Sequence, residues 1–243
     1  MSELSSDIIR DSITTLHGEA LDAALARRFM LADEDVLLGD ISFTLRKPAN
    51  ADHLISEADY VMDERLPYWA DLWPSSRQLA TTLLGERGIG RTLLELGCGL
   101  GLPTMAAMHV GFDVTATDYY EDALQVTRAN AGRNLGREPQ VRMVNWRAWP
   151  DDLGQFDVIV AADVIYELEY AVLVAACIAR ALTPDGVAII ADPGRVALAR
   201  FHAELPQVGL ELVETMTSPY VDGKINQQIQ VMRLRHLTAG ATP

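Results

Sequence analysis

The stretch Glu95-Leu96-Gly97-Cys98-Gly99-Leu100-Gly101 limits what this chain can fold into more than any other. The apolar run Thr92-Leu93-Leu94 enters it, and Leu102-Pro103-Thr104-Met105-Ala106-Ala107 leaves it. A short apolar run ending in glycines reads as a buried parallel strand that turns sharply into a helix. The glycines admit φ values that a Cβ forbids and let a ligand approach the main chain. The helix beyond would aim its N–H groups and positive dipole end at that ligand. The dinucleotide fingerprint G-x-G-x-x-G is not met, because Leu102 stands at its third glycine position. The spacing is E-x-G-x-G-x-G instead. A second short apolar strand, Val114-Thr115-Ala116-Thr117, ends in Asp118, and a carboxylate there can accept both hydroxyls of a ribose.

Taken in order, the pattern is an extension followed by alternating strands and helices. Ile8, Ile9, Ser12, Ile13 and Leu16, then Leu21, Ala24, Leu25 and Phe29 beyond an interruption at Gly18, are spaced as a helix over residues 1 to about 32. Val36 to Leu45 alternates around Gly39-Asp40, which predicts a β-hairpin broken by Lys47-Pro48-Ala49-Asn50. Leu66-Pro67-Tyr68-Trp69-Ala70-Asp71-Leu72-Trp73-Pro74-Ser75 leads into a helix from about Ser75 to Leu84, with Pro74 in its first turn. The two tryptophans serve either as core anchors or as a cover over a bound ligand.

From Gly90 onward the reading is regular. Strands are expected at Thr92–Leu96, Asp113–Thr117, Val141–Asn145, Phe156–Ala162 and Val187–Ala191. Helices alternate with them at Pro103–His109, Tyr120–Leu135, Leu168–Leu182 and Val196–Leu205. Thr183-Pro184-Asp185-Gly186 reads as a turn. Strands near Leu210–Met216 and Ile225–Leu234 follow one another directly across Asp222-Gly223, so they form an antiparallel pair at a sheet edge. The tail after His236 reads as disordered. The fold class is therefore α/β: a doubly wound, mostly parallel seven-stranded Rossmann-like sheet with an antiparallel edge pair and an N-terminal helix and hairpin extension. Residues 1–65 form the extension, 66–236 the main domain and 237–243 the tail.

Composition removes several function classes. The net charge of −14 repels phosphate backbones and no Lys/Arg cluster offsets it, so nucleic acid is a poor partner and a basic protein surface a better one. No apolar run is long enough for a bilayer, and no signal peptide opens the chain. Glu3 and Asp7 argue against a transit peptide. Cys98 and Cys177 give no disulfide framework, which suits the reducing cytoplasm, and the five histidines lack metal-ligand spacing.

Open α/β sheets bind ligands beyond the carboxyl ends of their strands. Those ends carry Glu95 to Gly101, Asp118-Tyr119, Asn145-Trp146, Asp163 to Tyr166 and Asp192 to Arg195. The E-x-G-x-G-x-G turn resembles motif I of the seven-strand S-adenosylmethionine (SAM) methyltransferases. With Leu66 to Pro74, Asn145-Trp146, the D-x-x-Y string Asp163-Val164-Ile165-Tyr166 and Asp192-Pro193-Gly194-Arg195, it resembles the family-16 protein lysine methyltransferases. P-Y-W-A-x-x-W-P and D-P-G-R are most similar to the electron-transfer-flavoprotein β-subunit lysine methyltransferase branch. Similarity spans about residues 66 to 235. Ser75-Ser76 replaces a glycine pair of that branch, Asn145 stands where many relatives carry an acid, and residues 1–65 match loosely.

The resemblance implies a SAM-binding set of Trp69, Trp73, Glu95, Gly97, Cys98, Gly99, Gly101, Asp118, Tyr119, Asn145, Trp146 and Asp163. Their places at the strand ends suit Glu95 to the methionyl ammonium, directly or through water, Asp118 to the ribose, and Asn145, otherwise a simple turn residue, to the adenine amine beside the flat wall of Trp146. Asp163 and Tyr166 are the expected catalytic pair, bordering the entrance of the acceptor lysine. The expected cofactor is SAM, its product S-adenosylhomocysteine, with no metal. The expected partner is a protein with an accessible lysine, the electron transfer flavoprotein β subunit among them, with no nucleic acid and no membrane. A small-molecule amine N-methyltransferase and a non-catalytic SAM-binding partner are the competing readings. A DNA or RNA amino-methyltransferase is disfavoured, since both prolines of an (N/D)-P-P-(Y/F) string are missing after Asp163.

Overall fold

The computed structural model describes residues 13–54, 67–223 and 225–238. Ile8, Ile9 and Ser12 of the expected N-terminal helix, the 65/66 boundary and tail residues 239–243 lie outside the described residues. The elements are α1 (Gly18–Arg28), β1 (Leu31–Leu38), β2 (Ile41–Pro48), α2 (Pro74–Leu84), β3 (Thr92–Leu96), α3 (Leu102–His109), β4 (Asp113–Asp118) and α4 (Glu121–Leu135). They continue with β5 (Gln140–Met143), β6 (Phe156–Ala162), α5 (Leu168–Ala181), β7 (Leu182–Asp192), α6 (Val196–Glu204), β8 (Leu210–Asp222) and β9 (Ile225–His236). Short 3₁₀ turns lie at Ala51–Leu54, Tyr68–Ala70 and Leu205–Val208.

Seven strands form one sheet in the order β5-β4-β3-β6-β7-β9-β8, and β1 pairs with β2 in a separate antiparallel hairpin. Strands β5 through β7 run parallel, while β9 is antiparallel to both β7 and β8. The chain moves outward from β3 to β5 and then crosses back to β6 on the other side of β3. Strand order therefore reverses between β3 and β6, which fixes the crevice at their carboxyl ends.

Alternation along the strands explains why both faces of the sheet are covered. Leu94, Leu96, Ile159, Ala161, Ala188 and Ile190 point to one face and pack with Ala171, Val174 and Ile178 of α5 and Phe201 of α6. Leu93, Val158, Val160, Ile189 and Ala191 point to the other, against Leu79 and Leu83 of α2 and Met105 of α3. Strands buried on both faces read as continuous apolar runs, as these do. A third cluster joins Leu21 and Leu25 of α1 to Trp69 and to Ala123 and Val126 of α4.

The structure corrects the sequence reading in five places. Among the described residues the expected N-terminal helix is broken between Ile13 and Gly18 and stops at Arg28, because Leu31 already opens β1 opposite Pro48. The hairpin around Gly39-Asp40 is longer than expected, and Pro48 tolerates the strand because it sits at its last position, where a donor is not needed. β5 ends at Met143, since Asn145 turns back and bridges Ala148. The turn Thr183–Gly186 lies inside β7: Phe156 pairs with Leu182 and Val158 with Val187, so those four residues bulge opposite Asp157. Finally, β8 and β9 outrun their expected bounds. Asp192 pairs with Gln230, so Ile225–Ile229 and Ser218–Asp222 continue past the carboxyl edge of the sheet.

Candidate functional site

A cavity of about 670 Å³ opens at the carboxyl ends of β3, β4 and β6. Gly97 to Pro103, Asp118 to Tyr120, Val144 to Arg147, Ala162 to Val164, and Tyr166 line it, and the segment from Tyr68 to Trp73 closes one side. Sites of this size with a few converging polar groups are the usual form of a small-molecule pocket.

The glycine turn is tied to β4 by Gly97 and Cys98 N–H groups, both donating to the Thr117 carbonyl at 2.9 Å. Gly101 has φ 83° and caps α3; a Cβ there would stand 2.8 Å from the Thr127 side chain. Gly99 has φ 51°, and its Cβ would meet the Trp69 carbonyl at 3.2 Å. These glycines are therefore required by the turn and by close packing on α4 and the Trp69 segment. The Cys98 thiol packs with Ala116 and Leu124, and burial pushes it well above the usual thiol range.

Asp118 reaches the cavity wall from the end of β4. Its Oδ2 accepts from the Gly99 N–H and its Oδ1 from the Tyr120 N–H, each at 3.0 Å, and the Tyr119 N–H adds to them, with acceptor capacity still remaining on the carboxylate. Burial raises its acid range, against the opposing pull of those N–H groups. Tyr119 is beside it on the wall.

Glu95 stands behind the turn and is not on the cavity wall. The Thr104 hydroxyl donates to its Oε2, in the first turn of α3. Burial pushes its acid range up to about 8, and the charge of Asp118 adds to the rise.

Aromatic rings dominate the mouth. Tyr166 lies 4.6 Å from Tyr170 and 5.8 Å from Tyr68, centroid to centroid, and Trp146 meets Tyr170 edge-on at 5.8 Å. Burial raises the Tyr166 hydroxyl above the usual phenol range. Trp73 donates its indole N–H to the Tyr68 carbonyl at 2.8 Å. Trp69, 7% exposed, is a core anchor beside Phe29 and also borders the cavity, so both readings of that segment describe part of it. Asn145 lies on the wall, with its Oδ1 accepting from the Arg147 N–H at 2.9 Å in a tight turn.

Asp163 ends β6 with φ 61°, the one left-handed non-glycine position among the described residues. Strain of this kind gathers at working sites. Its Oδ2 accepts from the Ser75 N–H at the start of α2, and its Oδ1 pairs with Arg195 at 2.7 Å. The Ser75 hydroxyl itself is buried without a hydrogen-bond partner.

The fold thus gathers Trp69, Trp73, Gly97, Cys98, Gly99, Gly101, Asp118, Tyr119, Asn145, Trp146, Asp163 and Tyr166 around one cavity, with Glu95 behind it. Sequence reasoning missed Tyr170 and the Arg195 pairing. Tyr166 precedes α5 and Tyr170 lies in its first turn, so no helical spacing in the sequence pairs the two rings. Among the described residues no cluster of three or more His, Cys, Asp or Glu is placed to hold a metal ion, and no helix is long and apolar enough to cross a membrane.

Residues 94–188 match the methyltransferase domain family. The electron transfer flavoprotein β subunit lysine methyltransferase of Xenopus laevis is 32% identical over 133 residues, covering 53% of this chain and 53% of that protein. The protein N-lysine methyltransferase METTL21A of Danio rerio is 34% identical over 112 residues, covering 42% of this chain and 50% of its own length. This chain spans about half the length of the curated relatives it matches. Magnesium protoporphyrin IX methyltransferase from Synechocystis, solved with SAM bound, superposes with a TM-score of 0.54 at 16% identity over 77% of this chain and 98% of that one. The fold is the Rossmann-like one found in solved SAM methyltransferases.

Proposed function

We propose that this chain is a SAM-dependent N-methyltransferase acting on a lysine side chain of a protein. The observation that carries the reading is the single cavity that joins Asp118 and the glycine turn to Asp163 and the tyrosine-lined mouth. The residues fit the cofactor. Asp118 borders the cavity with acceptor capacity remaining, Trp146 and Tyr119 supply flat surfaces, and the glycine turn brings main chain to the cavity wall. When bound, SAM supplies a methyl already activated on a sulfonium.

The chain's own residues then have positioning tasks. Asp118 holds the ribose through its remaining acceptor capacity. Tyr68, Trp73, Tyr166 and Tyr170 narrow the mouth so that a slender alkyl amine enters and water is excluded, aligning nucleophile and methyl. Asp163 orients the incoming ammonium, and Tyr166 bounds the channel beside it. The names of the relatives support a protein acceptor, and that of the flavoprotein branch makes its β subunit the first acceptor to try. Two buried, unpaired cysteines support a reducing compartment, the cytoplasm.

The test is transfer of label from radiolabelled SAM in a cell extract. Label on one protein band, released as methylated lysine on hydrolysis, is the expected result. Label only in low-mass amines would shift the assignment to a small-molecule enzyme. Binding of SAM with no transfer to any fraction would leave a cofactor-binding partner.

A further inference from the structure

The pairing of Asp163 carries more than its place on the wall. Both of its oxygens already hold a donor, Ser75 N–H on Oδ2 at 3.1 Å and Arg195 Nη1 on Oδ1 at 2.7 Å. The same Nη1 lies 3.5 Å from Oδ2 of Asp192, whose Oδ1 accepts from the Gly194 and Arg195 N–H groups at 2.7 and 3.0 Å. One guanidinium thus serves two carboxylates. Its Cζ also sits 5.8 Å from the centroid of the Trp73 ring, within range of a cation–π contact.

Access is unequal among these groups. The Asp163 side chain is 5% exposed and that of Asp192 fully buried, while Arg195 is 27% exposed. Asp163 borders the cavity while Arg195 does not, so the cation holds this acid from the side away from the cavity. An ammonium arriving at Asp163 meets Arg195 already in place. The surroundings that Arg195 occupies, two carboxylates and an aromatic face, are the ones an alkylammonium would need.

We propose that Arg195 is a built-in stand-in for the acceptor: it holds the Asp163–Asp192 pair until a cationic alkyl side chain enters and takes its place on Asp163. This rests on the reading that the acceptor is a lysine amine. Arg195 is then a positioning and specificity residue. A neutral alcohol or amide cannot displace it, because leaving two buried carboxylates without a cation is costly, whereas an ammonium restores the charge it removes.

The probe is n-butylammonium chloride, titrated into the folded full chain and followed by NMR. Arg195→Met removes the stand-in and should bind the probe about tenfold or more tightly than wild type, a gain of about 1.4 kcal/mol. The gain should vanish in Arg195→Met/Asp163→Asn, and Arg195→Lys, which keeps a cation, should stay near wild type. Free guanidinium should compete with the probe in Arg195→Met. A folded Arg195→Met that binds no more tightly than wild type overturns the proposal. If that variant does not fold, the wild-type Arg195 Nε–Hε signal, assigned with Arg195→Lys, decides: movement during titration supports exchange, and a fixed signal overturns it. S-adenosylhomocysteine binding to wild type, measured in parallel by calorimetry, reports on the cofactor assignment alone, so the two failures are separable.

Discussion

Asp118 and Glu95 are carboxylates at the ends of neighbouring strands, yet they do different work. Asp118 anchors the glycine turn through two N–H groups and still offers acceptor capacity to the cavity. Asp118→Ala should cost SAM about 1.5–3 kcal/mol, roughly a tenfold to hundredfold loss of affinity. It should also lower stability, since the Gly99 and Tyr120 N–H groups lose their partner. Unchanged affinity by calorimetry in a folded variant would remove the ribose assignment. Glu95 is sealed beneath Thr104, with its acid range raised by burial to about 8. A raised folded value means that the native state holds its proton more tightly than the unfolded chain. The stabilisation is complete below the ordinary value of 4.5 and is lost as pH rises through about 8. Urea unfolding of wild type between about pH 5 and about pH 8.5 should therefore show a falling component that Glu95→Gln lacks, and parallel profiles for the two proteins would contradict it. The sequence placed both acids at strand ends correctly. Which one faced the cavity was not legible, because alternation along β3 decides direction only once the packing of Leu94 and Leu96 is known.

At the scale of elements, the N-terminal segment depends on one buried cation. Arg128 of α4 donates to the carbonyls of Thr14 and Leu16 at 3.0 and 2.7 Å, and to Gln125 and Glu138 at 2.6 and 2.9 Å. Glu138 in turn accepts from the Gly18 N–H at 3.2 Å at the start of α1. Arg128→Met keeps the bulk and removes every donor, leaving carbonyls and a partly buried carboxylate without their partner. A loss of about 3–5 kcal/mol is expected, the range for breaking a buried pair from one side. Limited proteolysis should show residues 13–28 cut first, while residues 92–192 stay protected. Uniform resistance across both regions would show that α1 is held by its apolar face alone. Sequence periodicity found the apolar stripe of α1 through Leu21 and Leu25, but a clamp between residues 14 and 128 has no local signal. The same limit explains β7: Thr183–Gly186 carry turn residues locally, while the pairing of Leu182 with Phe156 that draws them into the strand is long-range. By contrast β3, β6, α2 and α3 were legible to within a residue, since apolar runs, Pro74 and the glycine turn mark them locally.

On the scale of the whole molecule, the net charge of −14 must act on any protein that approaches the cavity. Asp71 and Glu167 stand exposed on the cavity lining, and the one arginine there, Arg147, is held by Glu169 at 2.8 Å. The mouth therefore presents negative charge, and the field behind it has the same sign. Sequence composition had already made nucleic acid a poor partner, but it could not say that the uncompensated acids gather at the mouth, because that depends on which strand ends meet. Steering by such a field is screened as the Debye length falls from about 30 Å at 0.01 M salt to about 8 Å at 0.15 M. The contacts proposed between Asp118 and the cofactor, deep in the cavity, would be screened far less. Initial rates on the labelled acceptor should then separate the two. Raising salt across that range should increase the acceptor KM severalfold, by slowing encounter, with kcat and SAM affinity nearly constant. Asp71→Asn/Glu167→Gln should flatten the dependence without changing SAM binding, since neither residue touches Asp118 or the glycine turn through a hydrogen bond. A KM that ignores salt in the wild type would mean that the acidic surface plays no part in bringing the acceptor to the mouth.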